Sequence, residues 1–343
     1  MGNGTSSTNS ARNDLMQHPE LAHPHDLLVR RFLIDTELMA DLLQYYPQKH
    51  ADQQAVELLD LKRLECKSPV VVDEQLVEGI GDLRFFTSFK GSKRKSNVYL
   101  LFEHQSSIDS DFRLRGLGYI VQSYKEFRET TKGKKKLPYP VVVLLYHGKV
   151  SWKHLPEMDE LIDIAPTAES GLLRYPLILI DVSVIPPEQF KGHPVLQAVL
   201  ESLQLASKNR LVAEFDRVMD RLAAVKKDRR MKGWLRSFAR YAMSVAKIGT
   251  EQIVKAFSKI LTEREADDMA KTTAEELLIT GRAEGEVKGK FEALLTILQT
   301  RFKKVPKRLE TEISKMTDTV ALQSWIAFAT TCPSLEEFEK ALD

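Results

Sequence analysis

The chain of 343 residues has room for one large domain or two ordinary ones, and its 43% apolar content allows a substantial core. With 50 Lys and Arg against 48 Asp and Glu the formal charge is +2, so a case for nucleic-acid binding must rest on local patches and not on bulk charge. Two cysteines, Cys66 and Cys332, exclude a disulfide framework and a cysteine-based zinc site and fit a reducing, cytoplasmic setting, while no apolar run approaches the roughly 18 residues that cross a bilayer.

Residues 1–24 are polar, lack an apolar signal core and read as a disordered leader. The loose myristoylation pattern Met1-Gly2-Asn3-Gly4-Thr5-Ser6 is a chance match of the kind that Gly/Ser/Thr/Asn tails produce. From His25 to about Tyr46, apolar residues such as Leu28, Phe32, Met39, Leu42 and Leu43 recur at helical spacing, predicting one helix that Pro47 closes. A short helix is expected over residues 55–64, and a short β-branched strand over 70–72. Residues 81–89 and 98–105 read as two arms of a hairpin joined by the basic, turn-rich loop 90–97. A helix over 112–128 would bury Leu117, Ile120 or Val121, Tyr124 and Phe127. Residues 141–146 and 177–182 are apolar without alternation, as strands buried on both faces are. Beyond Pro186-Pro187 the composition becomes helix-forming, placing a boundary near residue 190 between an α/β front (25–190) and a helical back (191–343).

Two acids stand out in this order of elements. Asp82 falls on one arm of the hairpin and Glu103 on the other, just past the apolar run Leu100-Leu101-Phe102. A carboxylate placed there costs free energy unless paired or metal-bound. Alternation puts Glu103 and Gln105 on one face of the strand and His104 on the other, where His104 is expected to be packed. Two acids on neighbouring strands can share a hard cation such as Mg²⁺, which prefers oxygen ligands; edge or pairing roles for the same acids remain the alternative. The pair Asp109 and Asp111 reads better as a turn and helix cap than as a competing metal site. His147, ahead of Gly148, reads as a turn residue.

The blocks Gly81-Asp82-Leu83-Arg84-Phe85 and Val98-Tyr99-Leu100-Leu101-Phe102-Glu103-His104-Gln105-Ser106-Ser107 resemble the Rpn (YhgA-like) family of recombination-promoting nucleases. His25-Asp26-Leu27-Leu28, the helix from Arg113 to Tyr119, the run Pro140 to Gly148 and the glycine repeat near residue 281 extend the resemblance to about residues 25–300. The family is similar to the PD-(D/E)XK nuclease superfamily. That likeness implies a restriction-endonuclease-like core, a mixed central sheet flanked by helices, followed here by an all-α region. It implies a metal-dependent DNA endonuclease with Asp82, Glu103 and Gln105 as catalytic residues, and with Asp82 and Glu103 holding Mg²⁺, or Mn²⁺ or Ca²⁺ in its place. Gly81 stands where the superfamily motif has proline, and Gln105 where many members have lysine. A glutamine can orient water but supplies neither charge nor a base.

Other residues are open to two readings. Asp35 or Glu37 would complete the acidic set, or be solvated helix residues. Arg115, Tyr119 and Gln122 share a helix face and would clamp a phosphate, or form a polar flank. Lys93, Arg94 and Lys95, with the basic loop 132–136, would hold a DNA backbone if they flank the metal. Gly281, Gly285 and Gly289 recur every four residues, which suits close approach of another helix or a hinge, and points to assembly of like chains through the helical region. A catalytically silent assembly protein and an RNA hydrolase are the rival functions.

Overall fold

The computed structural model describes residues 24–46, 53–67, 83–93, 98–133, 135–163 and 174–342. The chain divides into two compact units, His23–Ala270 and a second that begins at Lys271.

The first unit is built on a five-stranded sheet in the order β1-β2-β3-β4-β5. β1 (Glu65–Cys66), β2 (Leu83–Thr87) and β3 (Val98–Gln105) pair antiparallel; β4 (Tyr139–Tyr146) and β5 (Leu177–Asp181) continue from β3 in parallel. The mixed α/β sheet flanked by helices is the expected architecture. The predicted hairpin is the β2–β3 pair, in which Leu83 faces Phe102 and Thr87 faces Val98. The apolar runs without alternation are the parallel strands: β5 is buried throughout, and β4 from Val141 onward. Because parallel strands need a crossover, β3 and β4 are joined by a helix, α4 (Phe112–Thr130).

The single helix expected over residues 25–46 is two helices, α1 (Pro24–Leu33) and α2 (Thr36–Tyr45). Asp35 explains the break. Its side chain accepts from the Glu37 amide at 2.9 Å, a cap that replaces helix propagation, and its other oxygen meets Arg230 at 2.8 Å. The helix expected over 55–64 is a shorter one, α3 (Gln53–Glu57), followed by a 3-10 turn at Leu61–Arg63; between them Leu59 bridges to Phe89. The strand expected over 70–72 lies outside the described residues.

After a short α5 (Met158–Leu161) and β5, the helices α6 (Pro194–Ser207), α7 (Leu211–Ala223), α8 (Met231–Ala246) and α9 (Thr250–Phe257) belong to the same unit as the sheet. The change of composition near residue 190 therefore falls inside that unit. Tyr46 donates to the Lys191 carbonyl at 2.5 Å, Asp41 accepts from the His193 amide at 2.6 Å, and Phe32 of α1 packs on Phe238 of α8.

The 40-residue α10 (Glu263–Phe302) starts in the first unit and runs into the second. There α10, α11 (Lys307–Ser314), α12 (Thr319–Thr331) and α13 (Leu335–Leu342) enclose Leu294, Leu298, Leu309, Ile313, Leu322 and Phe338. The glycine repeat lies within continuous helix. A Cβ added at Gly285 or Gly289 would meet nothing within 4 Å among the described residues. Among those residues no helix is long and apolar enough to cross a membrane.

Candidate active site

The two faces of β3 carry different chemistry. Leu101 packs with Val142, Leu144, Leu177, Leu179 and Tyr119 under α4, so strand alternation turns Glu103 and Gln105 to the same α4 side. The register agrees: Glu103 lies beside Leu144 and Gln105 beside Tyr146, both members of that cluster. β3 is buried through Phe102, and its last three residues, Glu103, His104 and Gln105, are half-buried where the strand emerges. Glu103 is thus a carboxylate at the mouth of an apolar wall.

Asp82 lies outside the described residues; it is joined to Leu83, which faces Phe102 across the hairpin. Among the described residues no group of three His, Cys, Asp or Glu side chains is arranged to hold a metal ion. Gln105, with its amide oxygen turned toward α4, accepts from both terminal nitrogens of Arg115, Nη1 at 3.3 Å and Nη2 closer. Arg115 also meets Asp109 at 3.1 Å and lies over the Phe112 ring at 5.0 Å. The sequence-predicted face of α4 divides by burial: Arg115 is exposed, Gln122 half-buried, and Tyr119 buried with the apolar cluster.

Asp109 does form the expected turn, accepting from the Asp111 amide at 2.9 Å, whereas Asp111 makes no side-chain cap. Asp35 and Glu37, weighed as a third carboxylate, begin α2, where Asp35 is engaged by Arg230. A further acid at the strand ends, Asp181, is committed to the backbone: it accepts from the amides of Ser183 and Trp152, each at 2.9 Å.

Only part of the basic loops is described. Lys93 is exposed at the turn end of the hairpin, beyond the Thr87–Val98 pair; Arg94 and Lys95 lie outside the described residues. Lys132, Lys135 and Lys136 precede β4, whose first residue, Tyr139, is paired with Val98. The described lysines thus lie in chain segments next to the start of β3, and Glu103 is five residues beyond Val98, roughly 17 Å along the strand at about 3.3 Å per residue. The physical reason is direction: β3 runs away from the described lysines.

On the opposite face, three histidines from distant segments meet. His25 of α1 and His147, which follows β4, have ring centroids 4.9 Å apart; His104 stacks on His147 at 5.8 Å with planes 10° apart. His104 faces away from Glu103, as alternation requires, but what it packs on is imidazole. Burial, then the neighbouring His25 and His104, pushes the His147 imidazole down to about 3; burial and His104 also lower His25. No local sequence pattern signals this cluster, because its members come from positions 25, 104 and 147.

The family described as "Putative transposase, YhgA-like" matches residues 23–232. The chain belongs to that family. Its YhgA-like region covers the sheet and the helices through α7 and into the start of α8. Among curated proteins it is 30% identical over 184 residues to the recombination-promoting nuclease RpnD of Escherichia coli O157:H7, covering 53% of this chain and 66% of that protein. It is 29% identical over 195 residues to the recombination-promoting nuclease RpnA of Escherichia coli strain K12, covering 55% and 62%. It is also 25% identical over 206 residues to the inactive recombination-promoting nuclease-like protein RpnE of the same strain, covering 59% and 65%. The matches thus span less than two thirds of the length of these relatives. No solved structure matches the chain at a significant level.

Proposed function

We propose that this YhgA-like protein is a metal-dependent endonuclease that hydrolyses DNA phosphodiester bonds during recombination. The observation that carries the reading is Glu103: a half-buried carboxylate beyond an apolar strand, on the side of the sheet where Gln105 and Arg115 meet. Two curated relatives named recombination-promoting nucleases support it.

Glu103 and Asp82 would hold the ion. Both offer the hard oxygen donors that Mg²⁺ prefers, and one or two carboxylates suffice because this ion keeps waters and takes substrate phosphate oxygens as further ligands. The bound cation supplies an acidified water and neutralises charge developing on the phosphoryl group. Gln105 would orient water through its amide without acting as a base. Arg115, already drawn to Gln105 and Asp109, would steady a phosphate oxygen beside them. Self-association through α10 belongs to the same proposal, since among the described residues nothing lies within 4 Å of a Cβ at Gly285 or Gly289.

A second reading has its own support. RpnE is named inactive, so a silent assembly protein on the same fold is the rival. Incubation of the full chain with plasmid DNA and with RNA, under Mg²⁺, Mn²⁺, Ca²⁺ or chelator, separates the functions. DNA nicking with Mg²⁺ or Mn²⁺ and none with chelator is expected. Intact DNA under every metal would favour the silent protein, and cleavage of RNA alone would make the substrate RNA.

A further inference from the structure

The three histidines do more than fill space. Together with Asp26, Arg30, Gln105 and the Ser106–Ser107 turn they line a cavity of about 450 Å³. His147 is 1% exposed, yet neither of its ring nitrogens has a hydrogen-bond partner among the described residues. A neutral imidazole is a donor at one nitrogen and an acceptor at the other, and interiors seldom leave such groups unmet. His25 is anchored from behind, its Nδ1 lying 2.9 Å from the hydroxyl of the buried Tyr241. The turn is held as firmly: a Cβ at Gly148 would come within 2.6 Å of the Ser106 carbonyl, so the chain passes there only because residue 148 lacks one.

The lining residues are rich in potential donors: three imidazoles, Arg30, Gln105 and two serines stand against one carboxylate, Asp26, and that acid already accepts from Arg30 Nε at 2.6 Å. Since no three metal donors converge among the described residues, the cavity does not present a preformed cation site. Its position is also informative. It opens beyond the carboxyl ends of the parallel strands β3 and β4, where open α/β sheets receive their ligands, and Ser106 follows Glu103 by three residues.

We propose that this cavity is an oxyanion site for a phosphoryl group, in which His147 donates a ring N–H to a phosphoryl oxygen and Arg30 with the Ser106–Ser107 turn closes the mouth. The phosphoryl group is either one in a nucleic-acid backbone or free phosphate; only the first assignment rests on the nuclease reading.

The test is ¹⁵N imidazole spectroscopy of the full chain in chelator, so that no cleavage intervenes. It is titrated with inorganic phosphate and, separately, with a short single-stranded oligodeoxynucleotide. Saturable shifts of the His147 ring nitrogens, with His25 moving alongside, are expected. Saturation by the oligonucleotide at tenfold lower concentration identifies the backbone as the source, and saturation by inorganic phosphate alone identifies the free ion. His147→Phe keeps the ring volume and removes both nitrogens, and should weaken binding at least tenfold when followed through His25. Should that variant fail to fold, Ser106→Ala combined with Ser107→Ala should weaken binding at least threefold. Unmoved His147 resonances with both ligands, or variants that bind as wild type does, would overturn the proposal. Metal-dependent cleavage can fail without touching this result, and the reverse also holds.

Discussion

Glu103→Gln is expected to lower metal-dependent DNA cleavage by on the order of 10²–10³-fold while leaving thermal stability nearly unchanged. The substitution keeps the shape of a half-buried side chain beside Leu144 and removes only its charge. A neutral amide is a weak ligand for a hard cation, so the ion that organises attack would be lost. Stability should hold because glutamine keeps the size of the side chain and a hydrogen-bonding carbonyl at this half-buried position. Glu103→Asp should fall between the two: it retains charge but withdraws it by one methylene. Plasmid nicking rates alongside melting curves separate these effects. A Glu103→Gln protein that cuts at the wild-type rate would remove the residue from the chemistry.

Glu201→Ala is expected to destabilise the first unit by about 3 kcal/mol, the low end of what breaking a buried ion pair costs. Glu201 on α6 has no exposed surface, and two arginines of α7 converge on it: Arg217 Nε at 2.6 Å from one oxygen, and Arg221 on the other. Arg221 reaches further, donating to the Pro187 carbonyl at 2.7 Å, so the carboxylate also ties α7 to the segment leaving the sheet. The low end applies because Arg217 is 42% exposed and finds water once its partner is gone. At about 2–4 °C per kcal/mol for a unit of this size, the melting temperature should fall by roughly 6–12 °C. Glu201→Gln, which keeps an acceptor, should lose less. Equal melting curves for wild type and the alanine variant would show that the pair contributes nothing net.

What was legible in the chain follows the range of the interactions that decide it. β3 was readable to its ends, Val98–Gln105, because a buried apolar run followed by polar residues marks where a strand leaves the core. The same alternation correctly turned Glu103 and Gln105 to one face and His104 to the other. The break between α1 and α2 was harder: the apolar spacing runs on through residues 34–36, and only the Asp35 cap, held by the distant Arg230, interrupts it. The two-residue β1 carries no periodicity and exists by pairing with Phe85 and Phe86. The place of Lys93 was open, because spacing in sequence does not say which end of a hairpin a site occupies. The imidazole cluster was invisible for a related reason. Each histidine alone reads as packing or turn, and only the parallel β3–β4 register with α1 laid across it makes them neighbours.

A titration of the full chain with Mn²⁺, followed by electron paramagnetic resonance, measures the cation directly and without any substrate. Wild type should bind one ion whose affinity drops at least tenfold in both Asp82→Asn and Glu103→Gln. Binding that is equally tight in the two variants would mean that these carboxylates do not grip a common metal.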